Sequence, residues 1–373
     1  MTLSTARAAT LAALGTADAE YARRLTTATA DALVDAGFAR HFVPKRWGGD
    51  AGSFTEAAEA AATLAEACAS TAWCAALYAA HARLAAHLPE EGQAELWAAG
   101  PDVRIAAAVV PPAGQATAAP GGWVLHGTWR LASGVDHAHW VLLASPAGTG
   151  EDRGSRIFAV PREDVEILDT WRSLGLRGTG SNGVRVERAF VPAHRTFTVA
   201  DLDRPGSGRD RCHAVPHLMV AGAQFVAPAL GAARAALRDW HDLFTARTGT
   251  DGTSVSGTPG RSLAAARASA DLHAAGLVLR HALHRADAGD VTPLAVSENV
   301  RDFARVAELC AAATDLLMRT AGSRALAEDS PLQRRWRDVL AATGHAALGM
   351  DAASVHYAGA LAARGLDANG AER

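Results

Sequence analysis

Two long Ala- and Leu-rich tracts with few helix breakers enclose a stretch of opposite habit, and that contrast restricts the fold more than any single motif. Ser4–Thr27 and Phe54–Leu88 read as helices, because alanine and leucine are strong helix formers. Between them, Phe42-Val-Pro44-Lys-Arg-Trp47-Gly48-Gly49 reads as a turn. From about residue 105 to 200 the Val, Thr and Trp content rises, and Gly and Pro punctuate short segments. Gly122–Trp129, Trp140–Ala144, Arg156–Val160 and Val184–Val191 are strand-like, and Gly148 to Gly154 reads as a mobile hairpin loop. Helix returns from about residue 212. Pro228 is expected to kink the first long helix or mark its start. Thr248–Gly260 reads as a loop, and Ser262–Ala288, Ser297–Ala321 and Leu332–Leu361 follow as helices. The expectation is a mainly α chain with an inserted β domain. It comprises an N-terminal helical domain (1–104), a central antiparallel β domain (105–211) and a C-terminal four-helix bundle (212–373).

The balance of residues excludes several classes of function. Of 373 residues, 49% are hydrophobic, which suits a globular protein with a large core. The net charge of −3 is spread along the chain, so there is no basic footprint for nucleic acid. Lys45 is the only lysine, and arginine carries nearly all the positive charge. Nine tryptophans in so Ala-rich a chain hint at flat, ring-lined surfaces. Cys68, Cys74, Cys212 and Cys310 show no paired spacing and read as reduced core thiols. With no signal-peptide pattern and no apolar run of membrane-spanning length, a cytoplasmic protein is expected.

The short motifs divide into decoys and candidates. Gly178-Thr-Gly180-Ser-Asn-Gly183 matches the dinucleotide fingerprint in letters, but the residues after it alternate like a strand and open no helix. Its glycines are better read as a tight loop whose backbone N–H groups, with Ser181 or Asn182, face a ligand. His137 and His139 would share a strand face, with no further ligands at metal spacing, so no metal site is expected. Pro331-Leu-Gln-Arg-Arg-Trp-Arg-Asp338 runs into an Ala-rich helix expected to carry His345. Trp129-Arg-Leu-Ala-Ser133-Gly134, Leu174-Gly-Leu-Arg-Gly-Thr-Gly-Ser181 and His81 complete a set that suggests one site built from distant segments.

These segments together resemble the acyl-CoA dehydrogenase fold, and within it the flavin-dependent monooxygenase branch. The matching pieces are Gly37-Phe38, Val43-Pro44, Trp47-Gly-Gly49, Ser70-Thr-Ala-Trp73-Cys74, Trp129 to Trp140, Thr170 to Ser181, Phe190-Val-Pro192 and Pro331 to His345. Dehydrogenases of this fold carry a catalytic glutamate late in the chain, whereas Arg337–Leu348 contains none. The resemblance implies a two-component monooxygenase. A separate reductase would supply reduced FAD or FMN by diffusion, and O2 would form a C4a-hydroperoxyflavin that oxygenates a small organic, aromatic or natural-product substrate. It implies His345 beside the peroxide or substrate, His81 on the substrate side and Ser133 at the flavin ring near N5. Trp129 would pack on the ring, Arg177, Thr179 and Ser181 would shape the flavin loop, and Arg337 would join the cofactor contacts. A homotetramer is implied as well. The chain departs from the pattern at Ser262–Arg267, where relatives carry a Gln, and around Arg247, where relatives bind cofactor phosphate. The competing readings are an acyl-CoA dehydrogenase or oxidase with a displaced base, and a non-catalytic scaffold.

Overall fold

The computed structural model describes residues 3–148, 154–204, 210–245 and 259–370. By internal contacts the chain forms two units. The first holds residues 1–60, 73–172 and 177–217, and the second holds 61–72, 173–176 and 218–373.

The first unit begins with α1 (Ala6–Leu14), α2 (Thr16–Ala22) and α3 (Thr27–Asp35). The single helix expected over Ser4–Thr27 is thus broken. Gly15 caps α1 through its N–H to Leu11 O, and Arg23 ends α2 in the left-handed region at φ 57°. Phe54–Leu88 likewise divides into α4 (Phe54–Ala65) and α5 (Ala69–Ala85), followed by α6 (Glu90–Leu96). Among the described residues eight strands come next: β1 (Ile105–Ala108), β2 (Gln115–Ala119), β3 (Gly122–Ala132), β4 (Trp140–Ala147), β5 (Gly154–Pro161), β6 (Glu166–Leu168), β7 (Asn182–Pro192) and β8 (Thr196–Thr198). They form two four-stranded sheets, ordered β1-β4-β5-β8 and β2-β3-β7-β6. Every pairing is antiparallel except β1 with β4, which is parallel.

Side-chain alternation explains how the sheets pack. Val141, Leu143, Phe158 and Val160 face inward and meet Leu125, Trp129, Val184 and Val186 of the other sheet. Leu142, Ala144, Ile157 and Ala159 face the other way and pack against Ala82, Leu84, Ala85 and Leu88. The first sheet is buried on both faces, so its strands read as continuous apolar runs. The second has a solvated face, where Arg185 and Glu166 pair at 2.6 Å. The hairpin turn expected at 148–154 lies almost wholly outside the described residues, although its flanking strands pair at Ala147 and Gly154. Two short helices, α7 (Arg211–Ala214) and α8 (His217–Val220), lead onward.

The second unit is built on α9 (Ala223–Thr245), α10 (Pro259–Ala288), α11 (Pro293–Ala321), α12 (Pro331–Thr343) and α13 (Met350–Gly370). Pro228 lies inside α9. The loop expected from Thr248, with Arg247, falls outside the described residues. In α11 buried positions recur along the whole length. Its wholly buried Asn299 donates to Met219 O and Ala282 O and accepts from Arg285, which removes the cost of burying an amide. The stretch His217–Phe244 is long and apolar enough to cross a membrane on composition alone, but 78% of its most apolar window is buried, as in a core helix.

Candidate functional site

The helix expected over Leu332–Leu361 is two helices, and the break falls at the candidate histidine. α12 starts on Ser330, whose hydroxyl accepts from Gln333 N, with Pro331 at its first turn. It ends at Gly344. His345 therefore does not ride on a helix. Its backbone is extended (φ −67°, ψ 135°) and it caps a 3-10 turn over Ala346–Leu348. The His345 Nδ1 accepts the Ala347 N–H at 3.2 Å, so in the neutral ring the proton sits on Nε2. The ring stacks on Phe225 with centroids 3.7 Å apart and planes 22° apart. Burial pushes its pKa down to about 4, so it is a neutral N–H donor at ordinary pH.

The neighbouring residues of α12 have a docking task. Asp338 is buried, and its carboxylate accepts Leu176 N–H at 2.6 Å. The Arg337 guanidinium donates to Leu174 O at 2.6 Å and to Gln333 Oε1 at 2.8 Å. Gly175 sits so close beneath that a Cβ there would lie 2.0 Å from Arg337 O. The structure thus gives Arg337, expected among the cofactor contacts, the work of holding Leu174-Gly-Leu176.

In the first unit, one stretch of α5 clamps the β-domain turn that carries Ser133. Trp73 Nε1 donates to Ser133 Oγ at 3.1 Å, and Tyr78 OH donates to Gly134 O at 2.8 Å. Cys74 Sγ lies 3.6 Å from Thr179 O, which also accepts the Gly134 N–H at 2.8 Å. Gly134 takes a left-handed turn at φ 70°, and a Cβ there would meet Tyr78 OH at 2.6 Å. Ser133 and Thr179 each lie 2.6 Å from Ser181 through their hydroxyls, making a buried chain of three.

His81 follows one turn after Tyr78. Its Nδ1 lies 2.8 Å from Ile105 O, which can only accept, so Nδ1 carries the proton and Nε2 is the acceptor. Burial pushes its pKa down to about 4. His81 and His345 are thus both neutral, in opposite tautomers. His217, which the motifs did not include, is pushed further, to about 3, by burial first and then by the positive charge of Arg83.

Other expectations are corrected. Trp129 does not lie against a cofactor: it is 1% exposed in the sandwich core, and its Nε1 donates to Ala144 O of the facing sheet at 2.7 Å. Arg177, expected in the flavin loop, keeps part of its guanidinium exposed while its Nε is buried 3.8 Å from Glu20. Asn182 faces no ligand either. Its Oδ1 accepts from Thr170 N and Trp171 N, and its Nδ2 donates to Asp136. The 178–183 glycine stretch runs from a 3-10 turn into β7, with no helix, as expected. His137 donates to Leu25 O, and no His, Cys, Asp or Glu cluster able to hold a metal occurs among the described residues. Trp73 and Tyr78 were missed as site residues, although Ser70-Thr-Ala-Trp73 was singled out as a motif.

The polar edge of an isoalloxazine ring alternates N–H groups with carbonyl and ring-nitrogen acceptors. Hydroxyls at Ser133, Thr179 and Ser181, beside a Gly134 turn held by Tyr78, suit such an edge, so the donor set fits a flavin.

The family described as acyl-CoA dehydrogenase, C-terminal domain, matches residues 223–350. The chain is 33% identical over 357 residues to a flavin-dependent monooxygenase, oxygenase subunit HsaA, from Rhodococcus jostii (strain RHA1), covering 91% of this chain and 92% of that one. It is 32% identical to an FADH(2)-dependent resorcinol hydroxylase, oxygenase component, from Rhizobium sp. (strain MTP-10005), covering 89% and 87%. A solved structure of XiaF from Streptomyces sp., in complex with FADH2 and glycerol, superposes with a TM-score of 0.90 at 25% identity, over 96% of this chain and 93% of that one. The chain belongs to the flavin-dependent monooxygenase oxygenase components of the acyl-CoA dehydrogenase fold.

Proposed function

We propose that this protein takes reduced FAD or FMN from a separate reductase, by diffusion, and uses O2 to oxygenate a small aromatic substrate in the cytoplasm. One observation carries the choice over dehydrogenation. Between Pro331 and Leu348 the only carboxylate is Asp338, which is buried and committed to Leu176, and the chain offers His345 in its neutral N–H form. An α-proton abstraction needs a carboxylate or another base, and that tautomer of His345 presents a donor.

The reduced flavin supplies the electrons that activate O2. The residues do the rest. Ser133, steadied by Trp73 and Ser181, meets the polar edge of the flavin near N5, and Thr179 and Ser181 shape the loop beside it. His81 Nε2 accepts a hydrogen bond from the hydroxyl of a phenolic substrate, and His345 Nε2–H donates where oxygen is handled. Arg337 and Asp338 keep Leu174–Leu176 in place. The chain is proposed to work as three structural parts, 1–104, 105–211 and 212–373, and to assemble as a homotetramer.

The test mixes protein, reduced flavin and a panel of phenols with isotopically labelled O2. Hydroxylated product carrying one labelled oxygen supports the proposal. Bleaching of bound oxidised flavin by an acyl-CoA without oxygen, and no labelled product, would instead make the protein a dehydrogenase.

A further inference from the structure

We infer that His217 is a specificity-determining residue: its ring N–H binds a second oxygen function of the substrate, away from the hydroxyl that His81 receives, and the recess around it rejects amines. The inference rests on the reading above that His81 lies on the substrate side.

The backbone leading to His217 is fixed by α5. Arg83, two residues after His81, is buried and donates through Nε to Cys212 O at 2.7 Å and through Nη2 to Val215 O. Its guanidinium also lies over the Phe54 ring, 5.4 Å from the centroid. Two donors from one planar fork hold the Cys212–Val215 backbone, and His217 follows directly after Pro216, whose ring fixes φ. The same helix thus sets both imidazoles. His81 is among the groups whose charge acts on His217, so the two rings lie near each other.

The His217 ring makes no hydrogen bond among the described residues. It is half-buried, yet burial is the first cause of its low pKa, so the surface it keeps opens into a recess and not into bulk water. A neutral imidazole has one N–H and one acceptor nitrogen in either tautomer. A substrate with a single polar group gives that group to His81 and leaves the His217 N–H against apolar carbon. Sites built around a hydrogen bond discriminate against the analogue that lacks it, because their own buried group is then stranded. A hydroxyl, keto or carboxylate oxygen accepts the N–H. An ammonium group cannot, and it also meets the positive charge of Arg83, the largest influence on the ring after burial. The charge that keeps a proton off His217 keeps a cation out of the recess.

The test supplies the protein with reduced flavin, oxygen and phenols that carry a methyl, hydroxymethyl, acetyl, carboxyl or aminomethyl group at position 3 or 4. The readout is the ratio of kcat/KM for each phenol to that of its methyl counterpart. For wild type the best oxygen-bearing phenol should exceed the methyl compound about tenfold, the worth of one hydrogen bond to a buried donor, and the aminomethyl compounds should fall below it. His217→Phe keeps a flat ring without an N–H and should bring the first ratio close to one. His217→Gln retains an N–H and should restore part of it. A purely structural role for His217 would lower turnover of every phenol alike and leave the ratio as it was. An unchanged ratio in His217→Phe, or no preference in wild type, would overturn the inference, and a fall in turnover of the whole panel in His81→Ala would show that the substrate-side reading of His81 still stands. If His81→Ala changes neither turnover nor KM for any phenol, that reading fails and this inference fails with it. Should His217→Phe not fold, His217→Leu decides by the same ratio.

Discussion

His345 and His81 show how much a single backbone contact can specify. Each imidazole has one nitrogen engaged by the main chain, Nδ1 of His345 accepting from Ala347 and Nδ1 of His81 donating to Ile105. The first ring therefore carries its proton on Nε2 and the second on Nδ1. His345→Ala is expected to lower product formation about 10²–10⁴-fold, the usual worth of a proton-handling group. Its melting temperature should fall only modestly, because the residue caps a short 3-10 turn and stacks on one ring, Phe225. Turnover and melting measured on the same preparation check this, and an activity loss matched by unfolding would count against it. The two rings also make stability depend on pH. Both titrate near 4 when folded, against about 6.5 when unfolded. Their contribution is therefore complete above about pH 6.5 and is lost as the pH falls towards 4, where the unfolded chain binds protons that the fold resists. Melting curves across that window should show a falling midpoint, and His345→Gln should flatten part of the fall.

At the scale of elements, the docking of Leu174-Gly-Leu176 on α12 explains two motifs at once. Arg337 and Asp338 reach its backbone, and Gly175 permits the approach. Gly175→Ala would drive a methyl into Arg337 O and should cost about 1–3 kcal/mol, as overpacking does. Chemical denaturation would register the loss. The same region shows what could be read from the sequence and what could not. The order helix, strand, helix was legible because periodicity and breakers report it directly. The break at Gly344-His345 was passed over although Thr343-Gly344 is a stop signal, because the alanines on either side read as one continuous helix. β1 is Ile-Ala-Ala-Ala, helix-like in composition and a strand only because it lies beside β4. Trp129 was misassigned for a related reason. An aromatic near a candidate turn reads the same whether it faces a ligand or the opposite sheet. Trp73 was quoted within a motif, but its link to Ser133 spans 60 residues and has no trace in local spacing.

For the whole molecule, assembly and chemistry are the outstanding properties. Leu263 and Leu277 of α10 and Val355 and Leu361 of α13 are exposed large apolar side chains on the helical unit. Such surfaces are commonly covered by further copies of the chain. Light scattering should give a mass four times that of the 38.5 kDa chain at micromolar concentration, and a monomer would contradict the proposed tetramer. The central claim is that this fold, with His345 and no glutamate between Arg337 and Leu348, manages the reaction of reduced flavin with oxygen. Stopped-flow mixing of the protein carrying reduced flavin with oxygenated buffer tests it most directly. The account predicts that flavin absorbance returns to the oxidised spectrum in at least two resolved phases, with a species between them that is neither reduced nor oxidised flavin, and that His345→Ala shortens its lifetime. A single phase indistinguishable from that of unbound reduced flavin would contradict it.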